Sequence, residues 1–105
     1  MDPIAERTLV CLYPDGASVP VQLLIGQPRP HPKGDWCCEV SGEGMRLWTG
    51  TSTIVGIDSW QALLLSLRFL RAMLEAEVER GALLHGPDGI TVISPEELFG
   101  ETGQS

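Results

Sequence analysis

The stretch Asp58-Ser59-Trp60-Gln61-Ala62-Leu63-Leu64-Leu65-Ser66-Leu67-Arg68-Phe69-Leu70-Arg71-Ala72-Met73-Leu74-Glu75-Ala76-Glu77-Val78-Glu79-Arg80 decides the fold. Asp58 carries the side chain of a helix N-cap, Gln61 stands three places on where a capping box needs it, and Gly81 supplies a stop. The segment is one long helix. Plotted at about 100° per residue it is apolar on two faces, whereas a helix lying on a sheet needs one. Trp60, Leu63, Leu67, Leu70, Leu74 and Val78 form the stripe assigned to the sheet, and Gln61, Arg68, Arg71, Glu75 and Glu79 form the solvent stripe. Leu65, Phe69 and Met73, at i, i+4 and i+8, make a second apolar line with Ala62 and Ala76 beside it; Ser59, Ser66 and Glu77 separate the two.

Outward from the helix, the N-terminal half reads as strands. Ile4 to Tyr13 is rich in Thr, Val, Leu and Tyr and ends at Pro14-Asp15-Gly16, a tight-turn triplet. Ser18 to Ile25 follows with Val19, Val21, Leu23 and Ile25 at period two, and Pro20 marks an edge strand or a strand beginning. Pro28, Pro30 and Pro32 at alternate positions stiffen an exposed loop over Gln27 to Asp35. Trp36 to Ser41 is a third strand, with Trp36, Cys38 and Val40 on one face and Cys37, Glu39 and Ser41 on the other. Gly42-Glu43-Gly44 closes a second hairpin, and Met45 to about Ile57 is a fourth strand bent near Gly50. After the helix, Gly86-Pro87-Asp88-Gly89 is another turn, Ile90 to Ile93 a short strand, and Ser94-Pro95-Glu96-Glu97 the start of a helical turn.

Sequential strands on short turns, followed by one helix, imply an α+β fold: a four-stranded antiparallel meander with the long helix on one face, plus a short C-terminal strand and helical turn. Residues 1–100 form a single domain and 101–105 a disordered tail. A chain of 105 residues with 43% hydrophobic content supports one core without disulfides or metal.

Composition narrows the function classes. Of the net charge of −7, most lies after residue 74, where there are seven acids and one base. Such a surface disfavours nucleic acid and anionic membranes. The N-terminus lacks the pattern of a secretory signal, and the apolar run Trp60 to Leu74 is interrupted by Arg68 and Arg71, so a cytoplasmic protein is expected. Cys11, Cys37 and Cys38 are an odd number of thiols, two of them adjacent, as suits a reducing compartment. His31, Cys37, Cys38 and His85 are the only soft-metal set, but adjacent strand residues point to opposite faces, so no metal site is expected. Glu75, Glu77 and Glu79 do not pair on one helix face, and Gly42 and Gly44 lack the third glycine and the following helix of a phosphate loop. No catalytic residue and no cofactor is assigned.

An exposed Leu-Phe-Met line on a small protein needs a cover. Either the segment Leu83 to Phe99 folds back over it, or it is an interface. The leading expectation is a non-enzymatic protein-binding module that meets a protein partner, or itself as a homodimer, through Leu65, Phe69 and Met73, with the acidic tail as rim. The alternatives are an enzyme with a thiol or polar loop site around residues 27–38 and a structural homodimer without ligand. If a polar pocket exists, Arg29, His31 and Asp35 in the proline loop are its candidates.

Ile4-Ala5-Glu6-Arg7, Ile25-Gly26-Gln27-Pro28-Arg29-Pro30, Gly34-Asp35-Trp36-Cys37-Cys38 and Gly56-Ile57-Asp58-Ser59-Trp60-Gln61-Ala62-Leu63 together resemble a family of small uncharacterised bacterial proteins. The likeness covers about residues 4–76. It implies a bacterial source and a single α+β domain of unknown function, with no catalytic residues to transfer.

Overall fold

The computed structural model describes residues 1–100, so the expected disordered tail at 101–105 lies outside the described residues. Along the chain run β1 (Pro3–Leu12), β2 (Ser18–Gly26), β3 (Arg29–Pro30), β4 (Trp36–Glu43), β5 (Gly50–Gly56), α1 (Ser59–Glu79), β6 (Leu83–His85) and α2 (Pro95–Leu98). The fold is α+β, with one long helix packed on an antiparallel sheet.

The sheet is larger than a four-stranded meander. β1, β2, β4 and β5 pair in sequence, β3 extends the β2 side of β4 by two residues, and β6 joins the far edge of β1, giving six strands. The turns are those the residues demand. Tyr13 accepts from the Gly16 amide at 2.9 Å, and the Asp15 carboxylate accepts from the Ala17 amide at 2.9 Å. The inward period of β2 is observed, with Val21, Leu23 and Ile25 all buried.

Two elements depart from the sequence reading. Met45 to Thr49 is a loop rather than the first half of the fourth strand. Gly44 and Gly50 both take positive φ, at 93° and 104°, and turn the segment out of the ladder. Met45 enters the core, and Trp48 sets its ring edge-on to Phe69 at 5.1 Å between centroids. The late strand is Leu83–His85 rather than Ile90–Ile93, with one isolated bridge from His85 to Val92. Leu84 is buried beside Cys11, whereas Ile90 and Val92 are exposed, so burial selects the earlier apolar run.

Helix α1 begins and ends as its sequence demands. The Asp58 carboxylate accepts from the Gln61 amide at 2.7 Å, while the Gln61 side chain reaches back to accept from the Ile57 amide at 2.8 Å. At the other end Gly81, at φ 98°, donates to the Val78 carbonyl, and Ala82 donates to the Glu77 carbonyl, a Schellman closure.

The sheet-facing arc is Ala62, Ser66, Leu70, Leu74 and Glu77, which lies between the two apolar stripes, so both flank the same contact. Small residues bring the backbones together: the Ser66 hydroxyl donates to the Ala62 carbonyl at 2.7 Å, and a Cβ on Gly56 would lie 2.5 Å from the Ala62 amide nitrogen. Replacing Gly56 with alanine forces β5 and α1 apart. We expect Gly56→Ala to lower stability by about 2–3 kcal/mol in urea denaturation, by overpacking.

Candidate functional site

An apolar groove of about 450 Å³ lies between α1 and the β1–β2 hairpin. Leu23 and Ile25 of β2 and Leu70 of α1 form its floor, Leu64 and Leu67 its helix wall, and Leu98 and Phe99 of the α2 segment its far wall. Arg7, Arg68 and Arg71 line it too. Arg71 pairs with Glu75 at 3.4 Å and reaches Glu96 of α2 at 3.8 Å. Arg7 and Arg68 have no ion-pair partner among the described residues. In a chain of net charge −7, three of seven cationic side chains line this apolar cleft, with Glu6 beside them. The helix wall continues to Trp60 at i−4 from Leu64, whose side chain is 80% exposed.

The residues singled out by sequence lie elsewhere. Phe69 and Met73 are half-buried against the core, Phe69 under Trp48, and Leu65 is half-buried beside them. The C-terminal segment packs on the other flank of the helix, where Leu98 and Phe99 close the groove. Arg29 extends across to Glu39 at 2.6 Å. His31 accepts from the Lys33 amide through Nδ1 at 3.3 Å, and its own amide donates to the Asp35 carbonyl at 2.6 Å. The Arg29 and His31 side chains thus have separate partners, and Asp35 contributes its backbone carbonyl. A second cavity, of about 380 Å³, lies between this loop and the N-terminus and includes Asp2, Arg29 and Glu39.

A buried polar cluster went unread in the sequence. Glu77 is 1% exposed, and its carboxylate accepts from the Tyr13 hydroxyl at 3.0 Å and from the Leu47 amide at 2.7 Å. Arg46 lies over the Tyr13 ring at 3.8 Å from its centroid and donates to Asp15 at 2.9 Å. The sequence showed Glu77 only as one of three polar residues, with Ser59 and Ser66, that separate the two apolar stripes of the helix. Two neutral donors hold the carboxylate, so it ties β1, the 45–49 loop and the end of α1 to one point. Burial, then the hydrogen bond to Glu77, push the Tyr13 phenol above its ordinary value.

The thiols are closed to solvent. Cys11, Cys37 and Cys38 are all buried and unpaired. Burial, then the charge of Glu77, raise the Cys11 thiol, and burial is the main cause at Cys38; both shifts run opposite to those that activate a nucleophile. Among the described residues no group of three or more His, Cys, Asp or Glu side chains could hold a metal ion, and no helix is long and apolar enough to cross a membrane.

Truncation at the cluster strands two donors. Glu77→Ala should cost about 3 kcal/mol, and Tyr13→Phe, which leaves the carboxylate one partner, about 1–2 kcal/mol, both read from denaturation midpoints. The raised groups also set a pH trend. Cys11, Cys38 and Tyr13 hold their protons longer folded than unfolded, so above pH 9 the unfolded chain binds fewer protons and stability falls as pH rises. A melting temperature that declines through the alkaline range, less steeply in Tyr13→Phe, is the expected result.

No curated protein and no solved structure matches the chain. Residues 5–88 match a family described as a domain of unknown function, DUF6968. The match runs through α1 and β6 to the turn at Asp88, beyond the likeness found over residues 4–76, and stops short of α2. The chain belongs to the DUF6968 family of domains of unknown function.

Proposed function

We propose that this protein is a non-enzymatic binding module whose partner is a protein segment that lays apolar side chains in the α1–hairpin groove and carboxylates against its arginines. The observation that carries this reading is the continuity of the groove with the solvent-facing line Trp60, Leu64 and Leu67. An exposed tryptophan on the first turn of the helix adds nothing to the core, and tryptophan and arginine are the side chains that dominate protein contacts when buried by a partner. The contact surface moves accordingly from the Leu65, Phe69 and Met73 line, already half-covered from within, to the opposite flank.

Charge supports the choice of occupant. Arg7 and Arg68 have no carboxylate of their own among the described residues, so an acidic-apolar segment supplies what the groove lacks. Its capture is steered by these arginines and weakened by salt. An enzymatic reading around residues 27–38 draws less support, since Cys37 and Cys38 are buried and Arg29 is engaged by Glu39.

Leu64→Glu with Leu67→Glu places two carboxylates in the groove wall at positions already half-open to solvent. The double variant should melt as the wild type does and bind a partner recovered by affinity capture at least about tenfold more weakly, the loss expected at a contact centre. Equal capture by both proteins, or a partner retained undiminished at high salt, would sink this reading.

A further inference from the structure

The two sides of the sheet end differently. The β1 side is blunted: β6 covers Val10, Cys11 and Leu12, and the remainder carries Pro3, Glu6 and Arg7. Proline and charge at an edge are the usual guards against pairing with another chain. The β5 side has neither. Gly50-Thr51-Ser52-Thr53-Ile54-Val55-Gly56 contains no charge and no proline, and its only strand partner among the described residues is β4. Thr51, Thr53 and Val55 are exposed on one face, while Ser52 and Ile54 turn inward, so the strand is regular and its register is fixed from within. The charged neighbour across from Thr53 is Glu39, which Arg29 neutralises at 2.6 Å.

We infer that β5 is a self-association edge, and that two copies of this chain join their sheets by antiparallel β5–β5 pairing about a two-fold axis near Thr53. Two chains of net charge −7 repel each other, and an uncharged strand away from the acidic C-terminal third lets them approach without setting like charges face to face. The pairing is self-complementary. With Thr53 opposite its own copy, Thr51 of one chain stands opposite Val55 of the other, and Ser52 opposite Ile54, so every cross-strand pair combines β-branched or small side chains. A two-fold contact of this kind closes at a dimer, because the pairing uses β5 of both chains. The inference is independent of the groove, which lies on the hairpin side of α1.

Sedimentation of the full chain against concentration tests it, with Thr53→Lys and Leu64→Glu/Leu67→Glu in parallel and far-UV circular dichroism as the folding control. The expected result is a dimer for the wild type and the groove variant, and a folded monomer for Thr53→Lys. Thr53→Cys gives a second readout that survives if the lysine variant misfolds. The three native thiols are buried, so a short bifunctional maleimide should join two Thr53→Cys chains and leave the wild type unjoined. A wild type that sediments as a monomer up to millimolar concentration overturns the inference. So does a dimer that persists in folded Thr53→Lys, or one lost only in the groove variant.

Discussion

The carboxylate of Glu77 holds the architecture together at the point where three separate stretches of chain converge. It is buried on the last turns of the helix, it takes a hydrogen bond from the Tyr13 hydroxyl at the end of β1, and it takes another from the Leu47 amide in the loop before β5. An acid in that position is costly unless its lone pairs are filled, and neutral donors fill them here without a salt bridge. Because the donors come from residues far apart in sequence, the cost of burial is recovered only when strand, loop and helix are all in place. The arrangement links the docking of the helix against the sheet to the placement of the Tyr13 hydroxyl and the Leu47 amide.

That docking explains why the helix looks doubly apolar. Its closest approach to the sheet runs along small side chains, Ala62 and Ser66 near Gly56, and the larger residues on both sides wrap the contact. Phe69 and Met73 descend on the side of Trp48, and Leu67 and Leu70 on the side of the hairpin. The helix is slightly too greasy for its sheet on the second side only, where α2 reaches across with Leu98 and Phe99 and leaves a cleft between. Arg71, clasped to Glu75 and reaching Glu96, helps to hold that short helix in place.

What could be read from residues alone follows from how local each determinant is. The helix ends were legible because Asp58, Gln61 and Gly81 act within a turn of themselves, and the first hairpin because Pro14, Asp15 and Gly16 do likewise. The Met45 to Thr49 loop was not, since its composition suits a strand and the contacts that hold it are distant in sequence, Phe69 and Glu77 lying more than twenty residues on. Leu83 to His85 was missed because three residues carry too little periodicity to compete with Ile90 to Ile93. The groove was invisible for a related reason: its walls come from β1, β2, α1 and the α2 segment, and helical spacing alone placed Trp60 and Leu67 on the buried side.

One rod therefore carries two independent sets of instructions. The positions that lock it in place, Ala62, Ser66, Leu74 and Glu77, are distinct from those that face outward at Trp60, Leu64 and Arg68. Substitutions in the outward set leave the interior undisturbed and change little in folding free energy. Such a scaffold can vary its outward surface over evolutionary time while its interior stays constant, and the short distance between the two sets, one turn of helix, is all the separation that this requires.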